Sequence, residues 1–113
     1  MAIQISGNTV IDNNQNLVNV GRIYTTVTNN QTTSKTLGNR EFVSVVGAGL
    51  TMTLPASPAA GNEVAIQVGA FTNTVIGRNS QNIMGLAEDM TIDVENITVN
   101  LFFTDATRGW RIV

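Results

Sequence analysis

From position 41 onward, apolar and polar residues alternate along the chain. In residues 50–54, Leu50, Met52 and Leu54 fall on one side and Thr51 and Thr53 on the other; in 63–68, Val64, Ile66 and Val68 alternate with Ala65 and Gln67. Successive side chains of an extended strand point to opposite faces, so this pattern predicts half-buried strands. The same reading predicts strands over 41–46, 50–54, 63–68, 73–78, 80–84, 90–94, 96–104 and 109–113. Ile97, Val99, Leu101 and Phe103 share one face, residues 105–109 suit a hairpin loop, and Trp110 and Ile112 return on one face. Leu54, Val64, Ile66, Val99, Leu101 and Phe103 are therefore expected in the core. A single helical turn is expected at 85–89. The run 76–85 also reads as one rung of a β-solenoid, but no fixed period repeats it.

The first 38 residues read differently. Apolar residues are scattered among Asn, Gln and Gly, with turn signals at 7–8 and 12–16. Strands this short need another surface to lie on. Residues 23–36 are rich in Thr and fit an exposed edge hairpin turning at Asn29 and Asn30. The expected organisation is an extended N-terminal arm with this hairpin over 1–38, then a domain over 39–113. Regular short strands separated by turns predict an all-β fold, an antiparallel β-sandwich or barrel.

Composition narrows the function. A chain of 113 residues suits one domain, and its few aromatics leave a modest aliphatic core that a partner subunit would supplement. The net charge of −2 argues against a nucleic-acid partner, which calls for a basic face. No Cys and no His are present, which removes thiolate chemistry and the commonest general base and metal ligand. Met1 leads straight into AIQISG, with neither a basic start nor a long apolar stretch, so neither a signal peptide nor a membrane span is expected.

The local motifs are weak as chemistry. Residues 47–52 open like a dinucleotide loop but lack the third Gly and run into a strand. Asp12, Asn14 and Asn16 mimic the start of a calcium loop, but Leu17 stands where Gly is needed and Ile23 where a bidentate Glu belongs. Glu88, Asp89, Asp93 and Glu95 cluster locally. Alternate exposed strand positions explain them more simply than glycosidase acids do, and a weak calcium site is the one metal reading left open. Tyr24 and Trp110 would suit sugar stacking, but a lone Trp in a terminal strand is more often a core or interface anchor. No catalytic residue and no cofactor are expected.

The runs TLPASPAAGNEVAIQV at 53–68, TVIGRNSQNIMG at 74–85 and ATRGWRIV at 106–113 resemble a β-module of bacteriophage tail fibres and related virion proteins, those of cyanobacterial phages among them. The opening run, 5–21, is similar to N-terminal segments of such proteins. The resemblance implies a homotrimer, assembled in the host cytoplasm and located in the virion. A fibre with both shaft and tip would need a longer chain, whereas small virion proteins of this length are often capsid cement or decoration proteins that lay an arm on the shell. The expectation is a non-enzymatic trimeric decoration protein contacting the major capsid protein; the alternative is a short tail-fibre or adhesin module, with a sugar-binding domain third. Arm contacts are expected from Ile3, Ile5, Val10, Ile11 and Leu17, and Arg78, Arg108, Arg111 and Trp110 are candidate interface residues.

Overall fold

Alternating Val, Ile, Leu and Met positions give each strand one apolar face, and two sheets form to bury those faces against each other. A computed structural model describes residues 3–5, 8–11, 24–69 and 73–113. Among them the fold is all-β. The strands are β1 (Ile3–Ile5), β2 (Asn8–Ile11), β3 (Thr26–Gln31), β4 (Lys35–Thr36), β5 (Glu41–Val45), β6 (Thr51–Thr53), β7 (Glu63–Val68), β8 (Thr74–Gly77), β9 (Met90–Ile92), β10 (Ile97–Asp105) and β11 (Gly109–Ile112). β1 and β2 pair antiparallel in a sheet of their own. The rest form a five-stranded sheet, β11-β10-β7-β5-β3, and a four-stranded sheet, β4-β6-β8-β9.

From β3 to β8 the chain changes sheet at every step. β3, β5 and β7 run parallel in the larger sheet, and β4, β6 and β8 run parallel in the smaller one. Each turn of the chain stacks on the last: Thr28 pairs with Val43 and Val43 with Ile66, while Lys35 pairs with Met52 and Met52 with Ile76. This is the winding of a short β-solenoid. Antiparallel pairing enters afterwards, where β9 returns along β8, β10 along β7, and β11 closes a hairpin on β10. The expected antiparallel sandwich or barrel is thus corrected to two mixed sheets. A period of two tells which face a residue takes and nothing about the direction of its neighbour. The interval between stacked partners is also longer in the second turn, because residues 54–62 insert a loop bearing Pro and Gly. No repeat is visible in the sequence for that reason.

The core lies between the sheets. Val43, Val45, Ile66 and Leu101 from one side meet Met52, Leu54 and Ile76 from the other. Leu54, Val64, Ile66, Val99, Leu101 and Phe103, all expected inside, are buried. Trp110 is also fully buried and meets the Phe103 ring edge-on, with centroids 5.4 Å apart. Several corners use a left-handed backbone at Asn, as at Asn73, Asn79 and Asn96. Asn tolerates positive φ better than other non-Gly residues, which gives the Asn-rich composition a structural reason.

Two local expectations change. The Thr-rich segment is not a hairpin: β3 runs on through Asn29 and Asn30, with a register shift where Asn30 takes positive φ, and β4 lies in the other sheet. Leu37 is buried in the core, so residues 24–38 belong to the β body and not to an arm. At 80–84 there is no extended strand. Ile83 and Leu86 instead exchange backbone hydrogen bonds of 2.9 and 3.0 Å around Met84 and Gly85, which both have positive φ. That is a type I′ turn, so the expected helical turn at 85–89 is absent.

The core makes two opposite forecasts. Leu101→Ala should lower stability by about 2–5 kcal/mol, because it empties a well-packed inward position. Thr74 is fully buried, and its hydroxyl has no partner among the described residues. Thr74→Val should therefore raise stability by about 1 kcal/mol or more, since it removes an unpaired polar group at constant shape. Denaturant titration reads both, and a loss in both variants would mean that the Thr74 hydroxyl is bonded.

Candidate assembly surfaces

The two ends of the stack are built differently. At the β3 end the alternation of β5 carries Glu41 to the inward face beside Val43 and Val45, and it is only 4% exposed. Lys35 Nζ, from the facing sheet, lies 2.6 Å from Oε2. Thr28 Oγ1 donates to the same oxygen at 2.7 Å, and the Gly38 N–H donates to Oε1 at 2.9 Å. One carboxylate thus ties together β3, β4, β5 and the turn between the last two. Burial pushes its pKa up, but the bonds from Lys35, Thr28 and Gly38 outweigh burial and hold it below the ordinary glutamate value.

The outer face of this end is also fixed. Phe42, Ala65 and Asn100 lie side by side across β5, β7 and β10. Tyr24 meets the Phe42 ring edge-on at 5.7 Å, and its hydroxyl donates to Asn100 Oδ1 at 2.9 Å, so it spans the Ala65 between them. Beyond β3, however, the sheet edge has no backbone partner among the described residues. Val27 on that strand is 60% exposed, and TVTNNQ carries neither the charge nor the proline that usually blocks such an edge.

The opposite edge is closed. Met84 N–H donates to Trp110 O at 2.7 Å, Gly85 N–H to Arg108 O at 2.8 Å, and Trp110 N–H to Asn82 O at 2.8 Å. The small 83–86 hairpin thereby covers the free edge of β11. Gly109 is required at this contact: it has a φ of 72°, and a Cβ there would collide with the Asn82 carbonyl. Outside the seal lies a cleft of about 250 Å³, lined by Ile83, Met84, Leu86, Met90 and the acidic pair Glu88 and Asp89. Met84 and Leu86, two of its lining residues, are large apolar side chains left exposed.

The expected site residues fall in different places. Arg108, which is exposed, and Arg111, which is half-buried, lie on the β11 side of this end. Arg78 is engaged within the subunit: its guanidinium donates to Gln81 O at 3.1 Å, and its N–H donates to Asp89 Oδ1 at 2.9 Å. Trp110 has no exposed surface, so it anchors the core and cannot serve as an interface ring. Ile3, Ile5, Val10 and Ile11 lie on β1 and β2, whose backbone alone is described, and Leu17 lies outside the described residues. Among the described residues no group of three or more His, Cys, Asp or Glu side chains is placed to hold a metal ion. No protein-family model matches the chain, and no curated protein is similar to it.

Sequence reading missed the Lys35–Glu41 pair, although its signal was present. Glu41 opens an alternating strand on the same face as Val43 and Val45, and a carboxylate placed there needs a partner. Glu41→Gln should cost about 1.5–3 kcal/mol near neutral pH. The folded pKa lies below the unfolded one, so the stabilisation is complete above the unfolded value and disappears as pH falls through the folded value. Denaturant titrations across pH should show wild type and variant converging in acid; a constant gap would mean that the charge is not what holds this corner.

Proposed function

We propose that this chain is a non-enzymatic structural protein of a bacteriophage virion, a homotrimeric cement protein that decorates the head. The observation that carries the proposal is the inequality of the two edges of the larger sheet. The chain seals one edge with its own backbone and leaves the other, along β3, without backbone partners among the described residues. An open edge accepts a strand from a partner, with backbone hydrogen bonds supplying affinity and side chains supplying selection. The runs at 53–68, 74–85 and 106–113 that resemble phage β-modules direct the reading to a virion, with the major capsid protein and further copies of the chain as partners. The net charge of −2 points away from nucleic acid.

The parallel winding favours a second reading, a short tail-fibre or adhesin module, because stacked turns extend naturally along one axis. Copy number separates the two. Quantitative mass spectrometry of purified virions should find the chain in many copies that stay with the heads after tails are removed. A few copies travelling with the tails would replace the first reading by the second, and absence from virions would overturn both.

A further inference from the structure

The first turn of the winding, residues 24–38, is joined to the rest of the chain more by backbone than by core. β3 lies along β5 and β4 along β6, the Leu37 N–H donates to Thr53 O at 2.7 Å, and the Val46 N–H donates to Gln31 O at 2.9 Å. Apolar packing adds little. Leu37 is the one buried side chain of this segment, and the rest of the core is drawn from Val43 onward. The segment also has a sharp boundary. Directly after Gly38 the chain is pinned to β7, where the Arg40 N–H donates to Glu63 O at 2.7 Å and the Glu63 N–H to Asn39 Oδ1 at 3.0 Å. Across that boundary the inner clasp is a single group. The Glu41 carboxylate stands on the body side, and its three partners, Thr28, Lys35 and Gly38, all lie in the turn.

We propose that residues 24–38 are a hinged turn, latched by Glu41, which detaches as a unit while β5 to β11 stay folded. Closing strips the carboxylate of water, and the bonds from Thr28, Lys35 and Gly38 replace that water only while the turn is in place. Opening returns Glu41 to solvent, so no buried charge is stranded, and the core loses Leu37 alone. The two states present different edges. Closed, the larger sheet ends on β3; open, it ends on β5. A strand that pairs with β3 therefore binds the closed form alone, and its affinity is scaled by the closed fraction. That consequence rests on the assembly role proposed above and makes the latch a control on the assembly edge, whereas the opening itself does not rest on that role.

Native-state amide hydrogen exchange on the full chain at low urea tests the proposal. Leu37 and Val46 report the turn from its two sides, and Leu54 and Phe103, bonded to Gly77 O and Asn62 O, report the body. In the wild type the first two amides should exchange faster than the second two and with a weaker urea dependence, because opening one turn exposes little surface. Glu41→Gln should speed Leu37 and Val46 at least ~10-fold with the weak urea dependence kept, since bonds to a charged group are lost. One common protection and urea slope for all four amides would overturn the proposal, and so would an unchanged rate for Leu37 and Val46 in the variant. If Glu41→Gln does not fold, Thr28→Val decides on the same readout, because it removes one bond to the carboxylate and keeps Lys35 in place. Exchange rates carry nothing about copy number or location, so the virion reading stands or falls separately.

Discussion

Parallel pairing between alternate strands is the constraint on which the rest of the structure depends. Val43 sits beside Ile66 in one sheet and Met52 beside Ile76 in the other, so each turn of the chain buries its apolar face only when the next turn stacks on it. The strands are too short to be stable alone; β6 has three residues and β4 two. Their stability is shared across the stack, and the chain must cross between sheets at each step from β3 to β8 to obtain it. The fold is thus held by contacts between segments far apart in sequence, a topology whose closure has an entropic cost before contacts offset it.

A stack of this kind has ends, and the two are treated differently. After β8 the chain reverses, and β9, β10 and β11 complete the core with antiparallel strands. The 83–86 hairpin then occupies the last edge, with Gly109 allowing the backbones to meet. At the first end the core finishes on a polar cluster, where Glu41 accepts bonds from Lys35, Thr28 and Gly38. That cluster satisfies a buried charge and fixes where β3 and β4 sit, while the outer edge of β3 has no backbone partner among the described residues. Under the proposed assembly role the two serve differently: the finished end stops stacking, and the β3 edge, without a backbone partner among the described residues, accepts one.

Much of this was legible in the sequence, and the limits have a physical origin. Alternation located β5, β6, β7, β8, β9, β10 and β11 and put Leu54, Ile66 and Leu101 inside, because burial of one face is a local property of a strand. Strand direction is not local. The same alternation serves a parallel or an antiparallel neighbour, so a sandwich was expected where the chain winds. The Thr-rich residues 23–36 read as an exposed edge hairpin, and the side chains of Thr26–Gln31 are mostly solvated, yet the backbone of that segment pairs with β5. Of the candidate interface residues, Arg108 and Arg111 do lie at the sealed end, while Trp110 is core and Arg78 serves its own loop. Glu41 was readable as a charge out of place, but its partner Lys35 could be assigned only once the two sheets were facing.

The central claim is the direction of pairing, and nuclear Overhauser contacts between backbone protons test it most directly. The stacked winding requires contacts between Val43 and Ile66 and between Met52 and Ile76, in parallel register. Backbone contacts between β5 and β6, or between β7 and β8, in antiparallel register would contradict it, because those strands would then be hairpins in one sheet and not successive crossings between two.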